Sequence, residues 1–252
     1  MTLFRYGSLF FDFVEASSTR SASKFVSLID FGFSPKSILD VGCARGSWLA
    51  QWKKIGLEVH GLDGSYLDVS SLLISIHEFT PVDISSPFNL GRKFDIVECL
   101  EVAEHVDAEK ADCLIQNLVN HSDIVLFSAA QPGQGGENHV NEKPLKYWAE
   151  KFLNHGYQAY DYPRDVIMGF RDIEPWYRYN MILFANTNGK KSLSKVVISH
   201  LVKPQDKFKD LGSPLWKLTC FFIKFLPRFI VDFLARLKHL FTNIKLKFQQ
   251  EK

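Results

Sequence analysis

38-ILDVGCARGSWL-49 runs from strand-like Ile38–Val41 straight into two glycines and then into helix-spaced Trp48 and Leu49. A short apolar run, a glycine turn and a helical pattern together read as the start of a strand–turn–helix unit. In open α/β sheets ligands sit beyond the carboxyl ends of the strands, and the turn after the first strand is the usual place. Gly42 and Gly46 let the backbone turn tightly and approach a ligand closely. A dinucleotide fingerprint needs three glycines, and read from Gly42 this chain has Ala44 and Ser47 at the other two positions. The GK[ST] of a P-loop is also absent. Pyrophosphate binding, and with it a nucleotide-dependent oxidoreductase, is disfavoured.

The pattern repeats along the chain. Ala22, Phe25, Val26 and Ile29 predict a helix over about residues 20–31. Strands are expected at 37-SILDV-41, 57-LEVHGLD-63, near 79-FTPVDI-84, at 94-FDIVECL-100 and at 123-DIVLFSA-129. A helix is expected from Gly46 to about Ile55. Another carries Leu114, Ile115 and Leu118, with Asp107 as its N-cap. A Gly-rich loop, 131-QPGQGGENHVNE-142, precedes a helix over 142–155 for which Asn141 is the expected N-cap. 179-YNMILFA-185 reads as the last strand. The fold class is therefore α/β: a Rossmann-like, doubly wound, mostly parallel sheet with flanking helices over residues 1–190. A C-terminal amphipathic helical tail follows over 191–252.

With 252 residues, 46% hydrophobic and 14% aromatic, the chain suits one packed α/β domain with an appendage. Its formal charge of +2 conceals an asymmetry: residues 203–252 hold 11 Lys/Arg against 4 Asp/Glu, while the body is mildly acidic. A basic tail points to an anionic partner. Cys43, Cys99, Cys113 and Cys220 form no CxxC pair and lie beside no His cluster, so no metal is expected, and a reducing cytoplasmic setting fits. The N-terminal stretch, with Asp12 and Glu15, lacks the apolar core of a secretory signal.

Asp40-x-Gly42-x-Ala44-x-Gly46 resembles the first motif of class I S-adenosylmethionine-dependent methyltransferases. The resemblance implies that cofactor, with Asp40 holding its ammonium end and Gly42, Cys43, Ala44 and Gly46 forming its cradle. It also implies Asp63 on the ribose hydroxyls and Asp83 at the adenine. The run 99-CLEVAEHV-106 is similar to the segment after strand four in quinone-biosynthesis O-methyltransferases, which brings Leu100 and Glu101 to the cofactor pocket. A narrower resemblance, carried by 20-RSAS-23, 61-GLDGSYLD-68, 128-SAAQPGQGGENHVNE-142 and 176-WYRYN-180, is to a bacterial methyltransferase-domain family associated with surface glycans and secondary metabolites. It implies methyl transfer and says less of the substrate; the expected acceptor is a hydroxyl on a glycan, lipid-linked sugar or related small molecule.

His139, in the loop after strand five, is the expected base, and His105 is the second candidate. Arg45 is read as pointing to solvent. Arg20, Ser21 and Ser23 are read either as a lid or as helix caps, and Trp176 and Tyr177 as an acceptor wall or as core. In 214–248 the residues Ile230, Phe233, Leu234, Leu237, Phe241, Ile244 and Phe248 recur at helical spacing, with Arg236, His239, Asn243 and Lys247 on other faces. This is the pattern of an interfacial membrane helix, peripheral at the inner face, or of a helical pair packed on the body or on a second subunit. Without an evident stacking platform, nucleic acid is a disfavoured partner. A non-catalytic methyltransferase-like module that docks through the tail is the alternative reading.

Overall fold

The computed structural model describes residues 7–250. Eight strands form one sheet: β1 (Ser37–Val41), β2 (Glu58–Asp63), β3 (Phe79–Pro81), β4 (Ile96–Leu100), β5 (Ile124–Ser128), β6 (Gln158–Tyr160), β7 (Ile182–Ala185) and β8 (Leu201–Val202). Their order is β3-β2-β1-β4-β5-β7-β6-β8. Strands β1 to β5 pair in parallel, whereas β7 runs antiparallel to both β5 and β6. Helices α1 (Ser8–Leu28), α2 (Ser47–Lys54), α3 (Ala111–His121), α4 (Leu145–Asn154), α5 (Tyr162–Ile167), α6 (Pro175–Asn180), α7 (Thr187–Lys190) and α8 (Lys195–Ser199) accompany the sheet. Helices α9 (Pro214–Ile223) and α10 (Arg228–Gln250) follow it.

Side-chain alternation along β1 divides the core in two. Ile38 faces Phe25 of α1 and Trp48, Leu49 and Trp52 of α2. Leu39 and Val41 face Leu114, Ile115 and Leu118 of α3 and Trp148 and Phe152 of α4. Both faces of β1 and β4 are covered, which explains their continuous apolar runs. The chain leaves β1 toward β2 on one side and returns to β4 on the other, which opens a crevice at their carboxyl ends.

Four expectations are corrected here. Helix α1 starts at Ser8, well before residue 20. Its inner face carries Ser17, Ser18 and Ser21, all buried, so apolar periodicity does not reveal it. Ser17 and Ser21 donate to the carbonyls of Phe13 and Ser17, and Ser18 meets the Tyr177 hydroxyl at 2.9 Å. Asp107 makes no side-chain cap; a 3-10 turn over Ala108–Lys110 leads into α3 instead. Asn141 is no cap either, because α4 begins at Leu145, after Pro144. The boundary at residue 190 moves toward the C-terminus: β8 pairs with β6, and Val197 of α8 is fully buried in the core.

The tail packs on the body through a mixed face: Trp216 meets Tyr179, and Ile223, Val231 and Ala235 border the same cavity as Lys238 and His239. His239 stacks on Phe13 at 4.5 Å, and Asn243 is buried with it. Arg236 pairs with Glu137, and Asp232 accepts from the Asn138 amide. A row of phenylalanines faces out: Phe221, Phe222, Phe225, Phe229, Phe233 and Phe241 are all more than half exposed. The expected positions Ile244, Lys247 and Phe248 lie outside the residues whose side chains are described, as do Met1–Tyr6 of the N-terminal stretch. Among the described residues no helix is long and apolar enough to cross a membrane.

Arg164, 1% exposed, ties the far edge together. It forms a two-pronged pair with Asp161 at 2.6 and 2.5 Å and donates to the carbonyls of Tyr179 and Lys209. Removing one partner of a buried pair costs about 3–5 kcal/mol. Arg164→Ala is therefore expected to lower unfolding free energy by about 3 kcal/mol, measured by urea denaturation.

Candidate active site

The turn after β1 is a left-handed one. Gly42 and Gly46 have φ of 88° and 83°. A Cβ on Gly42 would stand 2.5 Å from Val102, so glycine is needed there for space as well as for conformation. Ala44, where the resembling motif has its middle glycine, also sits at φ 47°. An L-residue there costs about 1–2 kcal/mol. Its amide donates to Asp63 Oδ2 at 2.8 Å, and the amides of Gly42 and Cys43 both donate to the Leu62 carbonyl. The turn is thereby fastened to the end of β2.

These elements border a cavity of about 860 Å³ at the crevice, a size suited to a small-molecule ligand. Asp40, Gly42, Cys43, Ala44, Asp63, Asp83, Leu100 and Glu101 all line it. Gly46 does not; it forms the N-terminal boundary of α2. His105, His139, Trp176 and Tyr177 line the other half. Ser21 and Arg20 form no lid: Ser21 accepts from the Glu174 amide, and Arg20 pairs with Glu174. Arg45 does not point to solvent. It pairs with Asp12 and Glu15 of α1 at 2.8 and 3.0 Å and holds that helix beside the cavity.

The half of the cavity beside the turn after β1 is crowded with buried carboxyls. Asp40 and Glu98 are register partners on adjacent strands, and both carboxyls are buried. Burial, and then the Asp40 charge, raises the Glu98 pKa well above the usual range. Burial and the Asp63 charge do the same to Asp40. Trp52 Nε1 donates to Glu98 at 2.9 Å. Asp63 accepts from Ala44, Gly64 and Tyr66, yet burial still raises its pKa. Asp83 differs. Burial would raise it, but hydrogen bonds from Ser85 and Ser86 prevail and hold it low. Cys43 and Cys99 are pushed up by burial and by these acids, so both are inert thiols.

At the other half, Glu101 adopts φ 56° and accepts from Gln134 and Asn180. Backbone in this region marks sites that the surroundings over-determine. Glu142 accepts from the amides of Gly133 and Gly135 and from His139 Nδ1 at 2.9 Å. It thus shapes the Gly-rich loop and orients the imidazole. His105 Nδ1 donates to the Asn138 carbonyl at 3.2 Å. Burial, then the neighbouring His139, pushes the His105 pKa down to about 3, which makes it a poor base near neutrality. Glu98, Arg45, Tyr66 and Glu142 were not foreseen as site residues. A lone Glu within the apolar run 94-FDIVECL-100 was the signal for the first.

The sequence profile of a family described as a methyltransferase domain matches residues 15–160. No curated protein matches the chain. Among solved structures, an O-methyltransferase family protein from Burkholderia thailandensis is similar at a TM-score of 0.56 and 16% identity, over 70% of this chain and 58% of that one. The small RNA methyltransferase HEN1 is similar at 0.51 and 17%, over 68% of this chain and 25% of that one. TnmH is similar at 0.50 and 16%, over 70% and 57%. This chain spans less than two thirds of the length of each. At such identities the likeness bears on the fold.

The Glu98 arrangement has a consequence for stability. Below a glutamate's ordinary pKa of 4.5 folded and unfolded chains both hold the proton. As pH rises above that value only the unfolded chain releases it, so stability falls until the raised folded pKa is passed, by up to about 1.4 kcal/mol per pH unit. Glu98→Gln keeps an acceptor for Trp52 and a donor toward Asp40. Urea unfolding from about pH 5 to 8 should show a shallower decline for the variant than for the natural chain.

Proposed function

The chain belongs to the methyltransferase-domain family and is an S-adenosylmethionine-dependent methyltransferase, and we propose that it methylates a hydroxyl of a lipid-linked sugar, glycan or related small molecule at a membrane surface. The observation that carries this reading is the tail's second apolar face: helices that roof the acceptor half of the cavity also expose a row of phenylalanines outward. Trp216, Thr219 and Ile223 of α9 and Val231, Leu234 and Ala235 of α10 line that half. The same helices expose their phenylalanines, with Lys224 lying over the rings of Phe221 and Phe225 at 5.1 and 5.0 Å. An apolar face edged with basic residues is the composition of an interfacial helix.

The residues at the β1 end fit the cofactor. Its cationic ammonium suits the Asp40–Glu98 pair, where added positive charge relieves buried acid. Its ribose diol suits Asp63, with Tyr66 giving way. Asp83 spends its carboxylate on its own turn, so its part at the adenine is to border the pocket. S-adenosylmethionine supplies a methyl group already activated on a sulfonium. The protein must then orient the acceptor and take its proton. His139 is the proton acceptor in this reading. The Nδ1–H of the neutral ring is committed to Glu142, which leaves the Nε2 lone pair for the acceptor.

Asp63→Ala is expected to weaken S-adenosylmethionine binding by about 10- to 100-fold in calorimetry, as loss of charge-assisted hydrogen bonds implies; unchanged affinity would remove the ribose role. His139→Ala should retain that binding while turnover falls by about 10²–10⁴. For the membrane surface, the full chain should float with vesicles of phosphatidylcholine and phosphatidylglycerol. Replacing Phe221, Phe225 and Phe229 together by Ser should abolish flotation without changing cofactor affinity. Equal flotation of the two chains would remove the tail from membrane contact.

A further inference from the structure

The stripe of α10 that faces the cavity runs Val231, Leu234, Ala235, Lys238 and His239. These are the i, i+3, i+4, i+7 and i+8 positions of one helix face. The stripe starts at the loop that bears His139: a Cβ on Gly135 would stand 3.2 Å from Val231. Two turns later, ~10 Å further along the helix axis, it reaches Lys238. There the ammonium lies over the rings of Phe13 of α1 and Trp176 of α6, at 5.5 and 5.0 Å. The two ring centroids stand 6.3 Å apart, and both rings border the cavity.

Among the described residues no carboxylate stands within ion-pair distance of Lys238. Glu174 is the acid whose charge reaches it, and Glu174 is paired with Arg20. Glu137, which also borders the cavity, is paired with Arg236. His239, next to Lys238, adds no charge: burial and then the Lys238 charge push its pKa down to about 4. The aromatic faces attract the ammonium but leave its charge and its N–H donors unspent. The cavity's other lysine, Lys110, donates to Ser85 in the turn of Asp83. The charge of the cavity is therefore lopsided, with buried acids at the ends of β1, β2 and β4 and one unneutralised cation on α10.

We propose that Lys238, walled by Phe13 and Trp176, is the subsite for a phosphate group carried by the acceptor itself. The consequence for catalysis rests on the proposed methyl transfer to a hydroxyl. The buried acids repel a phosphate and Lys238 attracts it, so an acceptor that is anionic at one end enters in one orientation. Its uncharged hydroxyl end is then turned toward His139, two helical turns away from the anion. A sugar joined to a lipid through phosphate has this build, and its apolar part suits the aromatic wall. Lys238 lies beyond residues 15–160, where the family profile matches. The subsite is thus a property that the tail adds to the methyltransferase domain.

The test is a calorimetric titration of the full chain, saturated with S-adenosylhomocysteine, with phenyl phosphate and with phenol as its uncharged counterpart. The natural chain should bind one phenyl phosphate, at least about tenfold more tightly than phenol, as a charge-assisted contact implies. Lys238→Met should lose that preference and Lys238→Arg should keep it, with S-adenosylhomocysteine affinity equal in all three as the check of folding. Absence of saturable phenyl phosphate binding, or an undiminished preference in Lys238→Met, overturns the subsite. If Lys238→Met fails to bind S-adenosylhomocysteine, Lys238→Gln decides. Vesicles of phosphatidylcholine and phosphatidylglycerol separate the acceptor's phosphate from a lipid headgroup: Lys238→Met should behave in flotation as the natural chain does. Flotation lost in that variant would give the lysine to the headgroups and overturn its assignment to the acceptor. A phosphate preference carried by Lys238, in a chain that methylates nothing, would count against the proposed methyl transfer and leave the phosphate subsite standing.

Discussion

The bond from the Ala44 amide to Asp63 closes the turn after β1 onto the end of β2, and the ligand half of the molecule depends on it. Ala44 pays for a left-handed backbone, roughly 1–2 kcal/mol. A hydrogen bond to a charged group returns about 1.5–3 kcal/mol, enough to hold an alanine where glycine is the easier choice. With the turn fixed, α2 starts beside the crevice and Trp52 reaches Glu98. Arg45, the next residue, extends the same turn outward to Asp12 and Glu15, so α1 takes its position from the glycine motif.

Electrostatics divides the cavity. Asp40, Glu98, Asp63, Glu101 and Glu104 are concentrated at the carboxyl ends of β1, β2 and β4, and burial raises the pKa of each. Such an assembly is unfavourable by itself and is relieved by positive charge. In the proposed reading the cofactor's ammonium and sulfonium supply that charge beside Asp40 and Asp63. The tail completes the enclosure with Trp216, Ile223, Val231, Leu234 and Ala235, and Lys238 and His239 border the cavity beside them.

The sheet was legible because its residues alternate or run apolar with the strand period, and β1, α2, β2, β4 and β5 fall within a residue or two of their expected places. The glycine motif announced the crevice, and eight of its expected lining residues reach the cavity. What was not legible has particular causes. Serines on the inner face of α1 carry no apolar period. Asn141 lies in a strap governed by the Glu104 carbonyl, not at a helix start. The tail's apolar face was readable as a pattern, but a pattern does not say which side meets the body; His239 and Asn243 packed inward and the phenylalanines outward. Glu104 and His139 become neighbours only through the tertiary path of the loop.

The most direct test of the account is to incubate purified protein with methyl-labelled S-adenosylmethionine and an extract of the source cell, then separate organic and aqueous phases. The account predicts label in the organic phase, on a lipid or lipid-linked acceptor. Label confined to the aqueous phase would contradict delivery of the acceptor from a membrane, and the apolar outer face of the tail would then call for a protein contact instead.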